Sequence, residues 1–514
     1  MDLFVIPGDG WLRSERASSK VPDTKSRLVR AKRERTFTWH GSRAHTGSRR
    51  RALGKMLLII GLLVVSLSAR GMVSTATSSL QPHAPIVING NSDFNPSNGV
   101  TGGSGTASDP YMIQGWNISS SGCCSTIPGI SINNTSAYFI IRNVYLNAWP
   151  SPGIITGNVT NGVIRDSHAW GYPWGMILDS SRNILVSNDT VPHHVSTSSS
   201  DNITFANDSI SSLFISSSKN VTIVDDQLLW FAPWCGACVD NSSNVNISGS
   251  TFYGCDCTAV AVSNSDHVSL TGNNIASDTV LSVSRSSFVE ISDNQMSWGI
   301  DHGVSLVSCS AVLFQGNNVR ESTDQYPLVK IDGCKGVDIS GNIIAPMYSV
   351  TYKLDLLGIT RSSNVTIEGN DLSNATTALS ITASSDILVD ANNIQSNAQG
   401  LILNNTANVQ VFHNNFLNNT LQAQDTNSTQ NVWDNSYPSG GNFWSDYSGV
   451  DNCSGPQQNI CPSPDGIGDT PYTFNNNQDN YPLMQLFAPD PPAAVATAGG
   501  GGGGGGGGRP TLRT

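Results

Sequence analysis

The sequence predicts an all-β protein, a right-handed parallel β-helix of about 13 coils, and three observations carry that prediction. A short phrase recurs thirteen times, its mean repeat is near 22 residues, and inside each copy the apolar residues alternate with period two. The phrase is plainest in Asn183-Ile-Leu-Val-Ser-Asn-Asp-Thr-Val191 and Asn364-Val-Thr-Ile-Glu-Gly-Asn-Asp-Leu372. Its first apolar residue serves as an anchor: Phe139, Gly162, Ile184, Ile203, Val221, Val245, Val268, Val289, Val312, Val337, Val365, Ile387 and Val409. Apolar residues fall at the anchor, two later and seven later, as in Val268, Leu270 and Ile275. That spacing describes a half-buried strand, a turn and one more inward residue. Leucine-rich repeats share the period, but they require Leu-rich strands followed by helix signals, and the spacers here are Ser, Asn, Gly and Asp. At about 4.8 Å per coil the rod is about 60 Å long. Five residues after the anchor stands Asn273, Asn294, Asn317, Asn342, Asn370, Asn392 or Asn414, with Asp189, Asp208 and Asp226 in earlier coils. Asparagine tolerates a left-handed corner and can bond to its copy one coil on, which makes these residues structural.

Taken in order, residues 1–55 are a basic leader without periodicity, or an artefact of start-site choice with Met56 the true start. They hold 14 of the 27 Lys and Arg and 5 of the 38 acids, so the remainder carries a net charge of −20. An acidic body disfavours nucleic acid and polyanionic glycans as unaided partners. Residues 56–76 contain a fourteen-residue apolar core behind Arg49, Arg50, Arg51 and Lys55, too short to span a bilayer and the right length for a signal peptide. The mature chain is therefore expected outside the cytoplasm, in the periplasm, at the cell surface or secreted, with no stable transmembrane span. Residues 85–135 form an N-terminal cap, 136–435 the β-helix and 436–487 a C-terminal capping segment. Residues 488–514, with ten glycines from Gly499 to Gly508, form a disordered tail.

The flanks of the repeat carry a family resemblance. Before it lies Gly103-Ser-Gly-Thr-Ala-Ser-Asp-Pro-Tyr-Met-Ile-Gln-Gly-Trp-Asn-Ile118, and after it come Gly441-Asn-Phe-Trp-Ser-Asp-Tyr-Ser-Gly449 and Asp465-Gly-Ile-Gly-Asp-Thr-Pro-Tyr472. Over roughly residues 85 to 485 the chain resembles the NosD-like parallel β-helix proteins of cell surfaces and the periplasm. The resemblance implies fold and exported location. It implies activity weakly, because the namesake role in copper delivery is not general and the family supplies no catalytic motif to carry over. Relatives have an acid-rich loop before the Gly-Ile-Gly-Asp phrase, suited to calcium, where this chain has Cys461-Pro-Ser-Pro464. Asp465 and Asp469 remain as a calcium candidate, against the alternative of a capping loop held by Cys453 and Cys461.

Ten cysteines in an exported chain read first as disulfides. Cys309 and Cys334 each stand three residues before an anchor, so they stack in adjacent coils, as a disulfide or as paired free thiols. Trp234-Cys-Gly-Ala-Cys238 looks like the thioredoxin phrase, but the residues after it lead into a coil strand rather than the helix that depresses a redox thiol's pKa. With Cys255 and Cys257 one coil on, Cys235 and Cys238 suit two disulfides or a tetrathiolate zinc site. Copper is the other metal whose donors are present, in His193, His194, His302 and Met296, although adjacent strand histidines point to opposite faces.

Nine to fourteen residues after the anchors, successive coils place Trp149, Tyr172, Trp174, His193, His194, Phe214, Trp230, Trp234, Trp298, His302 and Tyr326. Asp256, Asp278, Asp301 and Asp324 share that offset. In register these would line one side of the rod, with rings to stack on sugars and acids to bond hydroxyls. The alternative is that the loops fold back and bury their rings. Aspartates one or two coils apart also bracket the separations glycosidases use, so a polysaccharide hydrolase or lyase is the rival to a protein that binds carbohydrate or cell-envelope glycan. A copper-handling role is the third reading.

Overall fold

The computed structural model describes residues 80–120, 126–230, 235–254, 258–321, 327–347 and 355–488. The predicted leader and signal segment, and all but the first residue of the predicted tail, lie outside them. The period-two apolar pattern is realised as parallel ladders that run from coil to coil. All thirteen anchors are in register: Phe139 pairs with Gly162, Gly162 with Ile184, Ile184 with Ile203, and so on to Ile387 with Val409. The ladders begin earlier than the repeat, because Tyr111 pairs with Phe139 and Ile86 with Ile130. The chain is thus a parallel β-helix with almost no helix among its described residues.

Inward positions hold the core. The anchors and the residues two and seven later are almost fully buried, as in Val268, Leu270 and Ile275 at 1, 0 and 0% exposure. Gly162 is the one anchor without a side chain, and the reason is its neighbour. A Cβ there would lie 2.5 Å from the Phe139 ring, which fills the space of two coils.

From Gly162 to Val409 every coil has positive φ at three shared positions, four before the anchor, one before it and four after it, and the last three coils add a fourth at Asn374, Ser396 and Asn418. The predicted asparagine column is real but sits one residue past its corner. The left-handed residue is Asn188, Asn207, Gly272 or Gly316, and the next one points inward. Asn294 shows what it does there: its Oδ1 accepts the Asn273 backbone N–H at 2.9 Å, and its Nδ2 donates to the Leu270 carbonyl at 2.8 Å and to Asn317 Oδ1 at 3.0 Å. The column therefore pairs backbone groups that the corners leave outside the strand ladder.

A second column, three residues before the anchors, is serine. Ser200 N–H donates to Ser218 Oγ at 3.1 Å, Ser218 N–H to Ser242 Oγ at 3.1 Å, and the pattern continues up the rod. Cys309 and Cys334 occupy two of its places as stacked free thiols, not as the disulfide also considered above. The physical reason is that each sulfur takes a serine's role: Cys309 N–H donates to Cys334 Sγ at 3.3 Å, and Cys309 Sγ donates to the Val307 carbonyl at 3.4 Å.

The C-terminal end is closed by stacked rings, with Phe416 on Trp444 at 4.3 Å, Trp444 on Tyr472 at 4.3 Å, and Phe474 edge-on to Trp433. Asp479 is fully buried under them and accepts from Asn442 N–H at 2.7 Å and Trp444 Nε1 at 2.9 Å. Cys453 and Cys461 form a disulfide in the capping loop.

Candidate functional site

The aromatic stripe is clearest on the coils anchored by Phe139, Gly162, Ile184 and Ile203. Two turns rich in proline and glycine, 148–153 and 171–175, lie against each other, with Ala148 N–H donating to the Trp170 carbonyl at 2.8 Å and Tyr172 N–H to the Ser151 carbonyl at 3.1 Å. Gly171 permits this approach, because a Cβ there would run into the backbone nitrogen of Gly153. With the backbones so close, the large side chains go outward. Trp149, Trp170 and Tyr172 are 49, 40 and 50% exposed, which is far more than core rings retain.

The histidines of the next coil hold this surface together. His193 lies 5.5 Å from Tyr172, edge-on, and 6.2 Å from Trp170. His194 lies 5.8 Å from Trp174 and 5.6 Å from Phe214, and Trp174 meets Phe214 at 5.4 Å. A further pair, Tyr145 stacked on His168 at 4.8 Å, extends it to the neighbouring strand. Partial burial lowers the pKa of His168, His193 and His194, and His194 is lowered further by His193. Burial thus favours the neutral form of these rings, and the face is an aromatic platform of low charge.

Of the sequence candidates, Trp149, Tyr172, Trp174, His193, His194 and Phe214 are brought together here. Trp170, Tyr145 and His168 join them from strand positions closer to their anchors, at eight, six and six residues after them. Trp234, Tyr326, Asp256, Asp324, Cys255 and Cys257 lie outside the described residues, as do the side chains of Trp230, Trp298, Asp301 and His302. The expectation that Trp230, Trp234 and Trp298 share one exposed face falls on those residues. Asp278 is 7% exposed at a register break, where Ser277 pairs with Trp298 and Thr279 with His302. The backbone thus sets it beside the segment carrying Asp301. Cys235 and Cys238 are bonded to each other, and Cys238 continues the column above Phe214.

Among the described residues, the copper and calcium candidates are engaged elsewhere. His193 and His194 each face a different set of rings, and Met296 is 1% exposed in the core between Ile275 and Val319. Asp469 accepts the N–H groups of Asn452 and Cys453, Asp465 accepts that of Ile467, and Asp451 accepts those of Asp465 and Gly466. These carboxylates close the capping loop on itself. Among the described residues no three His, Cys, Asp or Glu side chains are grouped to hold a metal ion.

The family model described as periplasmic copper-binding protein (NosD) matches residues 192–355 and 351–449, half of the chain between them. No curated protein matches the sequence significantly. Among solved structures, the Streptococcus pneumoniae surface protein and adhesin PfbA is 14% identical, covering 61% of this chain and 91% of its own at a TM-score of 0.35. The periplasmic alginate epimerase AlgG is 12% identical, covering 63% and 85% at 0.33. The Dettilon tailspike protein is 9% identical, covering 62% and 64% at 0.34. Likeness at this level bears on none of the arguments below.

Proposed function

The chain belongs to the NosD family of parallel β-helix proteins, and from that premise we propose that it is exported to the periplasm or cell surface and binds carbohydrate on its aromatic platform. One observation carries the reading: Trp149, Trp170 and Tyr172 stay 40 to 50% exposed on adjacent coils, braced from behind by His193. Holding rings of that size in water is unfavourable without a use, and their flat faces suit the C–H faces of pyranose rings. With histidines beside them whose neutral form burial favours, and no basic side chain among the platform residues, the surface favours uncharged sugars over uronates.

The test is a glycan array run beside an assay for reducing-sugar release. Binding without release supports a binding protein. Release that Asp301→Asn abolishes would replace this reading with the hydrolase or lyase, and failure to bind any neutral glycan would remove it.

A further inference from the structure

Below the platform, the interior column changes chemistry. From Asn273 upward it is asparagine, each member accepting one backbone N–H through Oδ1 and donating through Nδ2 to a carbonyl of the coil before. In three consecutive coils the same position is Asp189, Asp208 and Asp226, at 2, 2 and 1% exposure. One oxygen of each repeats the asparagine's accepting half. Asp189 Oδ1 takes the Ser167 N–H at 2.7 Å, Asp208 Oδ1 that of Asp189 at 2.7 Å, and Asp226 Oδ1 that of Asp208 at 2.6 Å. The second oxygen has the place of the asparagine NH₂: Asp208 Oδ2 accepts the Ala206 N–H at 3.1 Å, while Asp189 Oδ2 and Asp226 Oδ2 have no hydrogen-bond partner. At Asp189 and Asp226 a carboxylate cannot donate from that place; a protonated carboxyl can.

Three carboxylates one coil apart, about 4.8 Å, would also be a buried stack of like charge. The charged groups near them make this worse. Asp166 faces Asp189, Asp225 adjoins Asp226, and Arg165 is engaged with Asp166 at the surface at 3.5 Å. The ends of the stack are the hydroxyl residues Ser167 and Ser250. Burial, with the neighbouring acids, pushes Asp189 up to about 8 and Asp226 to about 8, and burial pushes Asp208 to about 7.

The stack adjoins the platform. Asp189 immediately precedes the strand Thr190–Ser198, with His193 and His194, and Asp208 precedes Ser209–Ser216, with Phe214. Ser167, bonded to Asp189, precedes His168–Trp170. We propose that Asp189, Asp208 and Asp226 are a stack of neutral carboxylic acids that ties the platform coils together, and that its ionisation makes binding at the platform pH-dependent. The second half rests on the carbohydrate reading above. Because the folded chain keeps protons that the unfolded chain releases near the ordinary value of 3.8, stability is greatest in acid. It falls as the pH climbs toward 8 and levels off once the three are ionised.

The test compares the full chain with the triple variant Asp189→Asn, Asp208→Asn, Asp226→Asn, which extends the asparagine column downward, and with Asp208→Asn alone should the triple fold poorly. Melting temperature and hydrogen exchange are followed from pH 5 to 9. The parent should lose melting temperature and amide protection in the coils of residues 162–226 as the pH rises, while coils 289–409 change little and the variant stays flat in that region. Affinity for a glycan identified on the array should weaken about five-fold or more between pH 6 and 9 in the parent and stay constant in the variant. Parent and variant melting and exchanging alike across that range would overturn the proposal. A glycan that never binds removes the platform reading but leaves the exchange comparison to decide the acid stack. Binding that is pH-independent in a parent whose coils do loosen overturns the coupling.

Discussion

Replacing Asn317 with alanine should destabilise the solenoid severely although the residue touches no ligand face. Its side chain is 1% exposed and makes four hydrogen bonds: it accepts the Asn294 backbone N–H at 3.0 Å and Asn294 Nδ2 at 3.0 Å, and it donates to the Ile291 carbonyl at 2.8 Å and Asn342 Oδ1 at 3.1 Å. Alanine leaves two buried donors and the Ile291 carbonyl without those partners, while Asn342 Oδ1 keeps the Asn317 N–H at 2.9 Å. At about 1–2 kcal/mol for each stranded group the loss is about 3–6 kcal/mol. The neighbouring Asn318 is the control. It is half-buried, its Nδ2 bonds Gln295 Oε1 at the surface at 3.0 Å, and its alanine variant should change stability by about 0.5 kcal/mol or less. Urea denaturation followed by circular dichroism measures both. If Asn317→Ala costs under about 1 kcal/mol, or no more than Asn318→Ala, the column is not what holds the corners.

Val337→Asp, 2% exposed at an anchor, should unfold a block of coils by burying an unpaired charge, and a variant melting with the parent would contradict the register. Cys309→Ser should cost less than about 1 kcal/mol, because serine is what its column uses elsewhere; thiol labelling of the unfolded parent should also find Cys309 and Cys334 free. Each aspartate of the acid stack that stays protonated should tilt stability downward by at most about 1.4 kcal/mol per pH unit between roughly pH 4 and its own titration; urea titrations of the triple variant should lose that share and keep only the slope of buried Asp479, which burial pushes up to about 7.

Much of this architecture is legible in the sequence, because each coil must solve the same problem. Inward positions such as Val268 and Leu270 cannot vary in polarity, so the anchors are found by alternation alone and all pair as expected. The corners are less legible. Asparagine marks both left-handed residues, such as Asn188, and buried column residues, such as Asn273, and only coordinates separate the two uses. The platform was partly visible, since Tyr172, Trp174, His193 and His194 share an offset. Trp170 and Tyr145 escaped because outward strand positions are free to hold anything, and nothing in the spacing marks an outward ring as functional. The thiols of Cys309 and Cys334 could be placed in adjacent coils from spacing, but whether they bond depended on the serine column around them.

The central claim is that the exposed rings are a binding surface, and it is tested most directly by calorimetric titration of the parent and Trp170→Ala with a neutral oligosaccharide from the array. The account predicts binding by the parent and a loss of about 1–3 kcal/mol in the variant, with melting temperature nearly unchanged. Equal binding by the two proteins, or a large drop in melting temperature for Trp170→Ala, would contradict it.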